Sequence, residues 1–177
     1  DGEWQEREET LRVCNLAKES LGMSTGATHG AQPWVVEKEE AKNTITTEFK
    51  FWSDVEVEDA WLALEDFAIT DIIYNGKKIE KIADGTYVDW SITKVKIGKI
   101  EKGENTIVLS KPFTVVSNVE NIFVLGDFGT EVNGDFAKIT APVRTLRFGD
   151  WTTQGLAFYG GLVTYRMKIQ GGAKTKI

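Results

Sequence analysis

Between Thr44 and Phe51 the chain alternates without a break: Ile45, Thr47, Phe49 and Phe51 on one side, Thr46, Glu48 and Lys50 on the other. A period of two belongs to an extended strand with one buried face, not to a helix. The same signal returns along the rest of the chain, punctuated by turn chemistry. Trp61-Leu62-Ala63-Leu64 is a second, shorter run. Ile72-Ile73-Tyr74 leads into Asn75-Gly76, a pair that accepts positive φ at both central positions of a type I′ hairpin turn, and Lys77 to Ile79 returns. A run from Tyr87 to Ile97 follows, and Lys102-Gly103-Glu104-Asn105 turns into Thr106-Ile107-Val108-Leu109. Further strands are predicted over 119–125, 137–140 and 143–148. A last one covers 163–169, where Val163, Tyr165, Met167 and Ile169 alternate with Thr164, Arg166 and Lys168. Roughly nine strands joined by tight turns predict an all-β fold, a β-sandwich of the jelly-roll kind.

Only the segment from Gln5 to Leu21 reads as a helix. Leu11, Cys14, Ala17 and Leu21 recur at helical steps, Glu6, Glu8 and Glu9 suit the positive end of the dipole, and Gly22 is a stop. The stretch from Gly22 to Pro33 is a Gly/Ser/Thr/Ala loop carrying the lone His29. The 177 residues therefore read as one domain, with 1–42 as a helix and loop lead-in and 43–170 as the sandwich core. The abrupt opening Asp1-Gly2-Glu3-Trp4 is expected of a piece excised from a larger multidomain enzyme.

Composition removes several function classes. A net charge of −6 argues against nucleic acid, which needs clustered Lys and Arg. No apolar run approaches the ~20 residues of a membrane-spanning helix. A single cysteine, Cys14, and a single histidine, His29, leave no disulfide framework, no cysteine metal cluster and no multi-histidine site. There is no phosphate-binding glycine loop and no dinucleotide fingerprint. Cys14 reads as a small core residue. The acidic runs Glu37-Glu39-Glu40 and Glu56-Glu58-Asp59 read as solvated turns. Asp127 and Asp150, each flanked by glycine and an aromatic, are the better candidates should two carboxylates act together in glycoside cleavage.

The aromatic content points elsewhere. Six Trp, nine Phe and four Tyr accompany 17 Gly. A sugar offers apolar C–H faces and a rim of hydroxyls, so a site for it pairs a flat exposed ring with fixed donors and acceptors. The segment from Phe148 to Gly161 concentrates both kinds: Asp150, Trp151, Gln154 and Tyr159 among glycines that allow tight backbone paths. The competing reading is that these rings plug one end of the sandwich. Trp90 shares its parity with Val88 and Ile92 and fits either core or platform. Trp61 and Trp52 read as core, Trp34 as an edge cover, and Trp4 is uninformative.

Taken in order, Trp61-Leu62-Ala63-Leu64-Glu65, Ile73-Tyr74-Asn75-Gly76-Lys77, Val88-Asp89-Trp90-Ser91-Ile92 and Lys102-Gly103-Glu104-Asn105-Thr106-Ile107 resemble the galactose-binding-like, sugar-binding jelly roll of family 2-type glycoside hydrolases. Leu125-Gly126-Asp127-Phe128-Gly129 and the segment from Gln154 to Gly161 resemble its closing half. The resemblance implies a non-catalytic carbohydrate-binding module, attached to a catalytic domain of a bacterial, secreted or cell-surface enzyme. The partners it implies are a polysaccharide or oligosaccharide and that linked domain, with no membrane. No cofactor is implied; some such domains hold a structural calcium, for which no Asp-rich loop stands out here. The expected platform is Trp90, Trp151 and Tyr159, with Asp127, Asp150 and Gln154 on the rim. The alternatives are an accessory jelly roll that packs on a catalytic barrel without binding sugar, and a small glycosidase or lyase.

Overall fold

A computed structural model describes residues 2–25, 40–134, 136–168 and 170. Among these residues ten strands form two sheets: β1 (Asn43–Ser53), β2 (Val57–Leu64), β3 (Asp71–Tyr74), β4 (Lys77–Lys78), β5 (Ala83–Tyr87), β6 (Asp89–Ile100), β7 (Gly103–Phe113), β8 (Phe123–Gly126), β9 (Gly129–Asn133) and β10 (Phe136–Thr140). One sheet runs β4-β3-β7-β1-β10-β9 and the other β5-β6-β2-β8. All pairings are antiparallel except β1 with β10. The fold is an all-β sandwich with one helix, α1 (Thr10–Ser20).

The strand pattern explains the packing. In β3 Ile72 and Tyr74 are buried while Asp71 and Ile73 face out. In β7 Asn105, Ile107, Leu109 and Phe113 point inward. Leu62, Val95 and Ile100 meet them from the second sheet, each at most 1% exposed. Burying a side chain of this size stabilises the fold by about 1.5–3 kcal/mol. The open end of the sandwich is sealed by a polar network. The buried Asn105 Oδ1 accepts from the Tyr74 hydroxyl at 2.7 Å and from Asn75 Nδ2 at 3.0 Å, and its Nδ2 donates to the Glu101 carbonyl at 2.8 Å. Asn75 and Gly76 have φ of 46° and 77°, the expected type I′ hairpin. The Asn-Gly and Gly-Glu-Asn motifs thus interlock at one corner as structural elements.

Several expectations are corrected. The helix begins at Thr10 instead of Gln5, because Glu9 caps it, accepting from the Leu11 and Arg12 amides. Its covered side carries Cys14 and Lys18, whereas Leu11 and Leu21 are exposed. The 87–97 run is two strands: Val88, with φ of 60°, turns the chain between Tyr87 and Asp89. β8 starts only at Phe123, and β9 went unread because Gly129-Thr130-Glu131-Val132-Asn133 has little alternation. The strands expected over 143–148 and 163–169 are absent among the described residues, Ile169 lying outside them. The chain there is irregular: Tyr165 stacks on Phe148 at 4.8 Å and donates to the Gly149 carbonyl instead of joining a ladder. Trp61 and Trp52 are not core. Trp52 is 45% exposed, with Nε1 on Asp54. His29, Trp34, Glu37, Glu39 and the tail after Gln170 lie outside the described residues.

Candidate functional site

Five of the six expected site residues come from one end of the molecule. Asp127 lies in the β8–β9 turn, and the 3-10 turn Thr152–Gln154 docks beside it, Thr130 N–H donating to the Gly155 carbonyl at 2.7 Å. Gly129 makes this approach possible, since a Cβ there would lie 2.7 Å from the Ala141 carbonyl oxygen. Irregular backbone needs partners for its polar groups, and the polar side chains here supply them. Gln154 Nε2 donates to the carbonyls of Arg147 and Asp150, both at 3.1 Å, while its Oε1 accepts from the Arg147 amide at 2.8 Å. Asp150 accepts from the Thr152 hydroxyl and amide, which hold its carboxyl below the usual aspartate range. Asp127 receives both Arg144 guanidinium nitrogens in a bidentate pair. Trp151 is half-buried with Nε1 turned to the Tyr159 carbonyl at 3.4 Å, and Tyr159, 46% exposed, donates to Leu162. Trp151 and Tyr159 are therefore brought together, but their polar atoms face inward on the loop.

Two carboxylates for glycoside cleavage need one held protonated by a raised pKa. Asp150 is shifted the opposite way, and Asp127 is paired with Arg144. Among the described residues no three His, Cys, Asp or Glu side chains converge as a metal would require.

Trp90 stands apart. Gly126, next to Asp127, is level with Ala60 and Gly98 in the register, and Trp90 precedes Gly98 by eight residues, which span at most about 26 Å. Its ring is 89% exposed and Val88 beside it 90% exposed. Trp90 and Ile92 fall in the stretch 90–92 that has no register partner on β5 or β2, so the parity expected of them does not carry through; beyond it Lys94 and Lys96 share the outward side of β6 while Val95 and Ile97 point into the core. Asp89 Oδ1 accepts from the Ser91 amide at 2.8 Å, which lowers the Asp89 pKa and fixes the turn. β5 and β8 are opposite edges of their sheet, yet Tyr87 and Phe123 lie 5.3 Å apart, so the hairpin tip folds over towards β8. Ala63, the register partner of Phe123, is fully buried beneath them although it shares the outward parity of Trp61.

On the same face lies a cluster missed in the sequence. Trp61 sits opposite Lys96 and reaches across β6, its Nε1 donating to Asp84 of β5 at 2.5 Å. The ammonium groups of Lys94 and Lys96 lie 5.4 and 5.7 Å from the ring centroid, and Asp59 holds Lys96 at 2.6 Å. The Trp61 parity was readable, since Leu62 and Leu64 face in, but an apolar run obscures it. The register irregularity after Val57 also shifts the start of the strand.

Between the sheets there is a cavity of about 30 Å³, lined by Ile45, Phe49, Leu64, Leu109 and Lys111 among others. That is room for a water molecule, not for a sugar. Compared with protein-family models and with curated proteins, the chain matches none.

Proposed function

We propose that this chain is a non-catalytic carbohydrate-binding module that holds a polysaccharide for an attached glycoside hydrolase. The observation that carries the reading is Trp90, 89% exposed at the tip of a hairpin held by the Tyr87–Asp89 register pair and by the Tyr87–Phe123 contact. A large bare ring in water is unfavourable unless something covers it. Exposed Asp89 and Ser91 flank it along the chain. Val88 at φ of 60° adds support: a β-branched residue in left-handed backbone is strained, and such strain gathers at binding tips. One stacked ring and a few hydrogen bonds, each about 0.5–1.5 kcal/mol net, less the ordering cost, give micromolar to millimolar affinity.

Native gels cast with xyloglucan, galactan, galactomannan or polygalacturonate test this. Migration is expected to slow in at least one, and Trp90→Ala to restore free mobility. Unchanged mobility in all of them, or retardation that survives Trp90→Ala, counts against the reading.

One observation favours the second reading, an accessory domain seated on a catalytic barrel. Phe148, Phe158 and Leu162 are 65%, 72% and 95% exposed on the C-terminal segment. Both readings hold together if that end faces the neighbouring domain while Trp90 faces the glycan.

A further inference from the structure

We infer that the free edge of β1 is an interface between two copies of this chain, paired antiparallel across a two-fold axis at Thr47. The pairing stands or falls apart from the carbohydrate reading.

β1 lies inside its sheet but is only partly flanked there. Asn43 to Ser53 all have register partners on β7, whereas β10 meets β1 only at Trp52 and Ser53. The Asp54 amide donates to the Ile139 carbonyl on the β10 side. The amide and carbonyl of one residue leave a strand on the same side, and successive residues alternate. Thr44, Thr46, Glu48 and Lys50 therefore aim both groups to the β10 side. Pro112, which has no N–H, accordingly stands opposite Thr44. Among the described residues none of these four has a register partner on that side, over a length of about 20 Å. The core side of the strand reports the same opening. Thr47, Phe49 and Phe51 are half-buried, yet their partners Leu109, Ile107 and Asn105 on β7 are buried.

A row of unpaired amides and carbonyls is a template for another strand, and sheets blunt such a row with proline, bulges or inward charges. β1 has none of these: its register with β7 runs without a shift, and its inward positions are Ile45, Thr47, Phe49 and Phe51. Its edge is complementary to itself, and that identifies the occupant. A two-fold axis at Thr47 sets Thr44 against Lys50 and Thr46 against Glu48, so all four residues of each copy exchange both backbone bonds with those of the other. On the core side Ile45 faces Phe49, a β-branched residue against an aromatic, and Thr47 faces Thr47. Charge excludes the neighbouring registers. An axis at Glu48 would put Glu48 against Glu48, and one at Thr46 would put Lys50 against Lys42. At Thr47 no like charges are directly opposed, and Lys50 Nζ lies 3.3 Å from Glu48 of its own copy. The strip from Thr44 to Lys50 is far shorter than the ~20–30 residues a side of a standard interface. The dimer is accordingly weak, with a dissociation constant between about 10 µM and 1 mM.

Sedimentation equilibrium of the full chain from about 1 µM to about 1 mM tests the pairing. Dimer is expected to accumulate in the upper part of that range, and the Thr44, Thr46, Glu48 and Lys50 amides to slow in hydrogen exchange as it does. Thr46→Pro removes an N–H from the free edge and none from the β7 ladder. It is expected to weaken the dimer at least about tenfold with the circular dichroism spectrum kept. In a Cys14→Ala background, Thr47→Cys is expected to give a disulfide-linked dimer on mild oxidation, because residues facing each other in a non-hydrogen-bonded pair have Cα atoms about 4.5 Å apart. Thr44→Cys, on the same edge but away from the axis, is expected to stay monomeric. Should Thr46→Pro fail to fold, the cross-link decides. A chain that remains monomeric at about 1 mM, a dimer indifferent to Thr46→Pro in a folded variant, or cross-linking through Thr44→Cys and not Thr47→Cys overturns the inference. Slow exchange of the four amides in the monomer also overturns it, and assigns the edge to another segment of the same chain.

Discussion

The two ends of this molecule handle polar side chains in opposite ways. On the face of β6 behind the hairpin, Lys94 and Lys96 stand in register with Ala63 and Trp61, so their side chains project outward with no duty to the main chain, and Trp90 stands in the short unpaired stretch between that ladder and the Tyr87–Asp89 pair. Among the described residues after Thr140 there is a single isolated bridge, Thr130 with Leu156, and no strand, and Gln154, Asp150, Tyr159 and Tyr165 close the hydrogen bonds of the loop itself. A loop rich in aromatic and polar residues looks like a binding rim in sequence. Once folded, it needs much of that chemistry to hold its own shape. Side chains are freest to serve a ligand where the backbone beneath them is already satisfied.

This contrast can be broken in several ways. The largest effect is expected from Gly129→Ala, which drives a methyl group against the Ala141 carbonyl and the Gly155 docking contact. A loss of about 1–3 kcal/mol is expected in chemical denaturation, with faster proteolysis confined to 141–168 and glycan retention on the hairpin unaffected. If retention falls as well, the two regions are not independent. Next, Trp90→Ala should weaken retention about tenfold while leaving the midpoint of thermal unfolding in place, because the ring rests on solvent. A marked drop in melting temperature would mean that the indole is structural. Val88→Gly should stabilise the chain by about 0.5 kcal/mol, the relief of left-handed strain exceeding the entropy cost of glycine. It should also loosen the tip, seen as weaker retention at unchanged fold.

The smallest effect separates the regions by pH. Asp150 has a lowered pKa through its Thr152 hydrogen bonds, so its contribution is complete above the ordinary value of 3.8 and fades as acid takes pH through the lowered value. Lys96 has a raised pKa through Asp59, so its contribution is complete below 10.5 and fades as alkali takes pH through the raised value. Hydrogen exchange followed along the chain should show acid loosening residues near 150 and alkali loosening β2 against β6. Asp150→Asn should remove the first response alone. Loosening in the reverse order would contradict the assignment.

Much of the sandwich was legible. Ile45 to Phe51 and Ile72 to Tyr74 alternate because one sheet face meets the core, and Asn75-Gly76 marks its turn because few other pairs accept that backbone. The strand expected at 163–169 shows the limit of the method. Val163 and Tyr165 do alternate with exposed neighbours, but alternation says only that one side is covered, not that a partner strand lies alongside. The Tyr165 hydroxyl takes the Gly149 carbonyl instead. Trp90 fits core or surface equally well in the sequence, and parity misleads there because the residues 90–92 bulge out of register with both neighbouring strands. Trp61 was hidden for a related reason: Ala63 and Leu64 made the whole run look buried, and Ala63 is buried by the folded hairpin, a contact between residues 87 and 123 that no local pattern encodes.

The parallel pairing of β1 with β10 has a mechanical consequence. β1 is clasped on one side by eleven register pairs to β7 and touches β10 on the other. Tension applied at Asn43 and Thr140 would draw the first and last strands of the sandwich in opposite senses along their own length, loading those bonds together and not one after another like a zip. On the function proposed above, the chain would meet such tension when it holds an enzyme on a polymer. Single-molecule extension from these two points should accordingly give a higher rupture force than extension from Asn43 and Phe113, which peels the β1–β7 ladder from one end.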